Sequence, residues 1–394
     1  MGTLDLMKET GVISGAAAQT LTSTNDLADL RGLVDQEIAP RAATWDEEER
    51  VPPEHIARLA GAGLFGMTLR ADVGGADTST LDAARAIAEV ARGCGISARL
   101  VVDANFGAVQ ILDKFAPEAI RQRHLPLVRR GERLVAIAIT EPEAGSAANE
   151  LTTRAERAGD EIVLHGRKRW ITGAGEREIS LVFARFDDIP GSAGVGAVLV
   201  EADTPGVRDG EREPTMGLRG LREAELHFEG CRVPAEHVIV EPGGFGRLMA
   251  AYNGQRVGAS AVALGLARGA LEVAIDYAKQ RKQFGRPIAE YQAIQLLLAD
   301  MAIQLDAAEL LVERAANTAD RYGFPERYAT SVAKTFASEA AIFVTNSAIQ
   351  VLGGNGYSRH YRVERMARDA RMFAIGGGTT QMQRLAVAAK LLEE

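Results

Sequence analysis

Val135-Ala-Ile-Ala-Ile139, Leu181-Val-Phe-Ala184 and Gly196-Ala-Val-Leu-Val200 are short apolar runs separated by clusters of Gly, Asp and Pro. Runs of this length bounded by turn residues predict strands, and together they predict an antiparallel sheet or barrel over residues 132–240. On both sides the pattern changes to a helical period. Thr24, Asn25 and Asp26 are all N-cap types, and Leu27, Leu30, Val34 and Ile38 follow at three- and four-residue spacing, so a helix is predicted from here until Pro40 ends or kinks it. Beyond the strands, Ile294, Leu298, Met301, Leu305, Ala308 and Val312 recur in alternating steps of four and three. Such a stripe is the mark of a core helix in a bundle. The expected class is α+β: an N-terminal helical domain over 24–131, a central antiparallel β domain over 132–240, and a C-terminal four-helix bundle over 241–394. Residues 1–23, rich in Ala, Thr, Ser and Gly, are expected to be a flexible extension.

Composition narrows the function classes. The chain has 394 residues, 46% of them hydrophobic, and a net charge of -8. A mildly acidic chain is a poor binder of nucleic acid. No run of about 18 apolar residues predicts a membrane span, and the first residues lack the basic and apolar regions of a secretory signal. Cys94 and Cys231 are far apart, and the six histidines are scattered without ligand spacing, so neither a disulfide framework nor a protein-bound metal is expected. A reducing cytoplasm is the default location. The order of elements is not the strand–helix alternation of a Rossmann fold. Neither Gly353-Gly-Asn-Gly356 nor Gly376-Gly-Gly378 follows a strand as a dinucleotide fingerprint would, and no phosphate-binding GxxxxGK[ST] loop is present.

Five segments carry chemistry. Ile139-Thr-Glu-Pro-Glu-Ala-Gly-Ser146 reads as a turn at a strand end, whose N–H groups and hydroxyls can hold a polar ring edge or a phosphate. Lys168-Arg-Trp-Ile-Thr172 offers an aromatic plane beside a hydroxyl. Arg281-Lys-Gln-Phe-Gly285, followed by Gln292, supplies a planar charged fork suited to pyrophosphate. Gln350-Val-Leu-Gly-Gly-Asn-Gly-Tyr357 has glycines that let a backbone approach a ligand closely. Gly378-Thr-Thr-Gln-Met-Gln-Arg384 comes last. Each segment alone is also what an ordinary turn, core strand or solvated helix end contains. All five, in this order, resemble the acyl-CoA dehydrogenase family, and the helical first zone extends the likeness back to about Leu27.

The resemblance implies an FAD enzyme that oxidises an acyl thioester, carried by CoA or by an acyl-carrier protein. It also implies that the electrons pass to an electron-transferring flavoprotein. The resemblance implies cofactor contacts from Ile139, Thr140, Gly145, Ser146, Trp170, Ile171 and Thr172, with Thr172 placed to bond the flavin nitrogen that accepts hydride. Arg281 and Phe284 are implied to reach the FAD of a neighbouring subunit, and Gln292, Gln350, Val351, Gly353 and Gly354 to make other FAD contacts. Thr379, Thr380 and Gln381 complete the set. Ser146, Asn253, Arg256 and Gly378 are the implied substrate contacts. Arg256 is expected near the start of a helix that also holds Gly258, Gly265 and Gly269. A homotetramer, a dimer of dimers, is the implied assembly.

The sequence departs from the family where the base should be. The reaction needs a carboxylate near the α-carbon, usually a glutamate just before the Gly-Thr of the last segment; here that place is Gly377. In another branch it stands just before the arginine matched by Arg256; here that place is Gln255. A positioned base is worth roughly 10²–10⁴ in rate, about 3–5 kcal/mol, so its loss requires a substitute or a different reaction. Asp103, in the otherwise apolar Leu100-Val-Val-Asp-Ala-Asn105, is the candidate base, because apolar surroundings raise a carboxyl pKa. Ala147-Ala148 follow Ser146 where the family often has Asp. The expected function is thus α,β-dehydrogenation of an acyl thioester with a displaced base. The alternatives are a flavin monooxygenase-type reaction on the same fold, or a non-catalytic FAD-holding subunit of a hetero-oligomeric dehydrogenase.

Overall fold

The computed structural model describes residues 24–319 and 321–393; the extension expected over 1–23 lies outside the described residues. Helices come first: α1 (Thr24–Leu33), α2 (Ala42–Glu47), α3 (Pro53–Gly61), α4 (Thr80–Gly93), α5 (Gly95–Asp103), α6 (Ala108–Phe115) and α7 (Glu118–Arg129). Strands follow: β1 (Val135–Ala138), β2 (Arg154–Ala158), β3 (Glu161–Thr172), β4 (Ile179–Phe186), β5 (Val195–Glu201), β6 (Val207–Arg212), β7 (Glu223–Pro234) and β8 (Val238–Val240). The chain then enters the long α8 (Phe245–Gln280), turns through a hairpin of β9 (Lys282–Gln283) and β10 (Arg286–Pro287), and ends in α9 (Gln292–Ala316), α10 (Arg327–Leu352), α11 (Val363–Met372) and α12 (Thr380–Leu391). A helical N-terminal domain, a central β domain and a helical C-terminal domain result. Pro40 acts as expected: α1 gives way to a π turn and then a 3-10 turn that holds Pro40 at its start.

The sheet runs in the order β6-β7-β3-β2-β4-β5-β8, with β1 paired to β4. Most pairs are antiparallel, but β1 and β2 both lie parallel to β4. The sheet is therefore mixed. The β1–β4 crossover has room for this because the β2–β3 hairpin lies between them in the chain. The run Leu181–Ala184 is apolar at every position because β4 is covered on both faces. Ile179, Leu181 and Phe183 join the core shared with the helices. Val182, Ala184 and Phe186 join a second core beneath the sheet. Side chains alternate along a strand, so a strand between two cores loses the polar half of its pattern.

The C-terminal bundle is anchored by α8. It holds an 18-residue window apolar enough to cross a membrane by composition, but 72% of that window is buried within the fold, which makes it a core helix. It packs on α4 at very short range: a Cβ added at Gly265 would stand 2.1 Å from the Ala88 carbonyl oxygen. One buried carboxylate fastens all three zones. Asp46 of α2 accepts from Arg219, in the loop before β7, and from Arg368 of α11, each at 2.7 Å.

A second buried charge fixes the turn that follows β1. Lys168 of β3 is fully buried and donates to Glu141 at 2.8 Å and to the Ile139 carbonyl at 3.0 Å. Glu141 also accepts from the Thr152 N–H and hydroxyl and from the Thr153 N–H, at 2.6–2.9 Å. Every acceptor site on this carboxylate is used. Burial alone would raise its pKa, but the Lys168 ammonium and the Thr152–Thr153 donors outweigh it and hold the carboxyl at about 2.

Two tests follow from this packing. Gly265→Ala forces α4 and α8 apart and should cost about 1–3 kcal/mol, read as a lower denaturant midpoint at unchanged m-value. Glu141→Gln leaves an ammonium buried without its counter-charge and should cost about 3–5 kcal/mol, whereas the double change Glu141→Leu/Lys168→Met should recover most of that loss. Because the folded-state pKa of Glu141 lies below its ordinary 4.5, its stabilisation is complete above that pH and is lost as pH falls towards 2. Thermal melts across this window should fall less steeply in Glu141→Gln than in the parent.

Candidate active site

The turn beyond β1 is closed by reciprocal backbone hydrogen bonds between Glu141 and Ala144, at 3.1 and 3.2 Å. Ile139 is buried, Thr140 half-buried, and Gly145 and Ser146 exposed. The Thr140 carbonyl accepts from the Arg169 N–H at 2.8 Å, which lays this turn beside the end of β3. There the pairing of β3 with β7 shifts register between Lys168 and Ile171. Trp170 takes the irregular position, with φ at +58°. A bulky residue held at positive φ is strained, and such strain concentrates at functional sites. The irregularity leaves the indole 52% exposed, with the Arg169 guanidinium 5.2 Å from its centroid. Ile171 returns to the core, and Thr172 ends the strand with its hydroxyl donating to Glu223 at 2.6 Å. An open aromatic face, a strand-end hydroxyl and a turn with exposed amides fit a flat heteroaromatic ring such as an isoalloxazine.

Opposite this edge stand α5, α8 and the glycine loop before α12. Arg256 lies well inside α8, not near its start, because that helix begins eleven residues earlier at Phe245. It donates to the Gly377 carbonyl at 2.9 Å and to Asn253 Oδ1 at 2.8 Å. Gly378 offers its carbonyl to the Nζ of Lys334 at 2.6 Å. Lys334 is fully buried; burial and the nearby Arg256 charge push its pKa down to about 8. Gly377 adopts φ of +73°, and an added Cβ there would meet only Arg256 Cγ, at 3.8 Å. A side chain at 377 has room but must accept a left-handed backbone costing about 1–2 kcal/mol. Thr379 caps α12 through the Met382 N–H, with Thr380 buried and Gln381 exposed in the first turn.

Asp103 is not in the apolar setting that its neighbours in sequence suggest. Arg99, one turn earlier on α5, forms an ion pair with it, and Gln255 Nε2 donates to its Oδ1 at 3.0 Å. The physical reason is the helical period: positions four apart share a face, and the apolar residues between them point elsewhere. The signal was in the sequence, as Arg99 and Asp103 are spaced i, i+4. Gln255 Oε1 is buried without a hydrogen-bond partner. A narrow cavity lined by Leu100, Asp103, Ala104, Leu134, Thr172 and Gly173 joins the α5 side to the end of β3.

The remaining cofactor candidates lie on other elements. Arg281 caps α8, and Phe284 sits at the tip of the β9–β10 hairpin, 95% exposed. Gln292 is exposed at the start of α9. Gln350 is exposed and Val351 buried at the end of α10, and a Cβ at Gly353 or Gly354 would meet nothing within 4 Å. Asn355 donates to the Tyr277 hydroxyl at 2.8 Å, and the Tyr277 carbonyl accepts the Arg281 N–H. The end of α10 is thus brought to the last turns of α8, beside Arg281. Sequence reasoning assigned no role to Arg99, Glu223, Lys334 or the Glu141–Lys168 pair.

Residues 27–132, 136–231 and 243–392 match the N-terminal, middle and C-terminal domains of acyl-CoA dehydrogenases. The chain is 46% identical over 367 residues to a 3-sulfinopropanoyl-CoA desulfinase of Paraburkholderia xenovorans, covering 92% of this chain and 94% of that protein. Butyryl-CoA dehydrogenase from Megasphaera elsdenii superposes with a TM-score of 0.89 at 33% identity, covering 94% of this chain and 99% of that one. A glutaryl-CoA dehydrogenase from Mycobacterium smegmatis in complex with FADH2 does so with a TM-score of 0.89 at 27% identity, covering 95% and 96%. The open Trp170 face and the matched domains agree, and the chain belongs to the acyl-CoA dehydrogenase family of flavoenzymes.

Proposed function

We propose that this flavoenzyme binds FAD and cleaves the carbon–sulfur bond of an acyl-CoA bearing a β-sulfinate, of which 3-sulfinopropanoyl-CoA is the simplest. The observation that carries the reading is a change of charge at the reacting end of the pocket. The two positions for the catalytic glutamate hold Gly377 and Gln255, while α5 contributes the guanidinium of Arg99, whose side chain is only 12% exposed. A site without that glutamate, where Asp103 counters Arg99 but Arg256 and Lys334 have only carbonyl oxygens as partners, suits an anionic substituent better than the removal of an α-proton. The 46% identity to a desulfinase supports the same choice of substrate.

The balance of the reaction is redox-neutral. The electron pair of the C–S bond stays with the β-carbon, which takes a proton. The sulfur departs as sulfur dioxide and is hydrated to hydrogensulfite. When bound, FAD would supply an electron-accepting ring, held by Trp170, Thr172 and the turn after β1. Arg99 orients the sulfinate, Arg256 and Lys334 fix the Gly377–Gly378 loop by its carbonyls, and no external electron acceptor is needed. A homotetramer is part of the same proposal, since Phe284 is presented outward at the hairpin tip and Arg281 is exposed at the end of α8 beside it.

A second reading keeps dehydrogenation, with an electron-transferring flavoprotein as acceptor and Asp103 as displaced base. The hydrogen bond from Gln255 to Asp103 favours it, because the amide at the alternative glutamate position orients the carboxylate. Anaerobic mixing with 3-sulfinopropanoyl-CoA and with a panel of simple acyl-CoA thioesters separates the two. Desulfination predicts sulfite release without added acceptor and without lasting loss of flavin absorbance. Arg99→Met should lower kcat/KM for that release by about 10–100-fold, the worth of a charge-assisted hydrogen bond. Flavin bleaching by the simple thioesters with no sulfite from the sulfinate would overturn the first reading. In that event Asp103→Asn should bind FAD normally but no longer bleach, and bleaching retained in the variant would remove Asp103 as base.

A further inference from the structure

Thr172 ends β3, and Glu223 opens β7 as its register partner across the sheet. Their side chains meet at 2.6 Å, with the Thr172 hydroxyl as donor. Glu223 is half-buried, and charged or titratable groups face it from each neighbouring element: Arg99 and Asp103 from α5 and Tyr252 from α8. A hydroxyl has one proton to give. While the Glu223 carboxylate is charged it can only accept, so the Thr172 proton is committed to it and Oγ can offer nothing but lone pairs to a ligand. Once the carboxyl is protonated it can donate to Oγ instead, and the Thr172 proton is free to point outward.

We propose that Glu223 is a positioning residue that sets the direction of the Thr172 hydroxyl, and through it decides whether the flavin edge beside Thr172 receives or gives a hydrogen bond. The inference rests on the placement of the flavin against Thr172 argued above, and it holds for either reaction. A donating Thr172 stabilises an unprotonated ring nitrogen, and an accepting one stabilises a ring N–H. The carboxyl is poised to make this change in a useful range: burial pushes it up to about 6, the Thr172 hydroxyl and Arg99 oppose that, and Asp103 adds to it.

The experiment is a pH titration, from 5 to 8, of the purified FAD-loaded protein in its oxidised state without substrate. The visible absorbance band and the ¹⁵N shifts of labelled flavin are both followed. The parent should show a single-proton change with a midpoint near pH 6, with the low-pH form carrying the stronger hydrogen bond at the ring nitrogen. Glu223→Gln and Thr172→Val should each abolish the change, while Asp103→Asn should move its midpoint but keep it. A flat titration in the parent, or one that survives in Glu223→Gln, would overturn the role of Glu223. If Glu223→Gln yields no folded protein, the parent ¹⁵N titration compared with Thr172→Val decides alone. Parent and Thr172→Val spectra that coincide at every pH would instead remove the flavin from Thr172, which separates failure of the placement from failure of the inference.

Discussion

The buried ion pair between Lys168 and Glu141 is the contact on which the rest of the site depends. It joins the two segments proposed to hold the flavin: Glu141 belongs to the turn after β1, and Lys168 stands two residues before Trp170. Isolated burial of either charge is strongly unfavourable, so the pair is tolerable only because each member meets the other and further hydrogen-bond partners. Lys168 has the carboxylate and the Ile139 carbonyl, and Glu141 has Lys168 and the Thr152–Thr153 donors. A closed network of this kind admits one arrangement. The same two segments are joined again by the Arg169 N–H on the Thr140 carbonyl, next to Trp170 in its irregular position at positive φ.

Around this anchor the charges are sorted by depth. Arg256 and Lys334 are spent inward on the carbonyls of Gly377 and Gly378. These two bonds pin a loop whose backbone, at φ +73° for Gly377, is one that a side chain would strain. Arg99 and Asp103 pair on one face of α5, and Gln255 reaches the same carboxylate from α8. The position that could hold a glutamate on α8 thus serves as an amide donor to a carboxylate on another helix. Glu223 adds a second carboxyl to this cluster, already bonded to Thr172. Of the three cations, Arg99 is matched by a carboxylate, whereas Arg256 and Lys334 are bonded to neutral groups.

Much of this was legible early, for local reasons. The apolar runs of β4 and β5, the stripe along α9 and the break at Pro40 are properties of a few consecutive residues, and periodicity reports them directly. The five ordered segments identified the family, whereas the Arg99–Asp103 pair went unread, because the apolar letters around Asp103 drew attention from the i, i+4 spacing. The parallel pairing of β1 with β4 was not legible, since it depends on which strands meet after a long crossover.

Sequence alone determined the α+β order of zones, the flavin-family segments, and the absence of a glutamate at positions 377 and 255. Tertiary structure decided which charges are paired. Glu141 meets Lys168 across 27 positions, Thr172 meets Glu223 across 51, and Gln255 meets Asp103 across 152. Each of those meetings is set by strand register, by an irregularity in one ladder, or by the packing of two helices. None of these is a property of a short stretch of chain, because a shift of one residue in a strand sends every side chain to the opposite face.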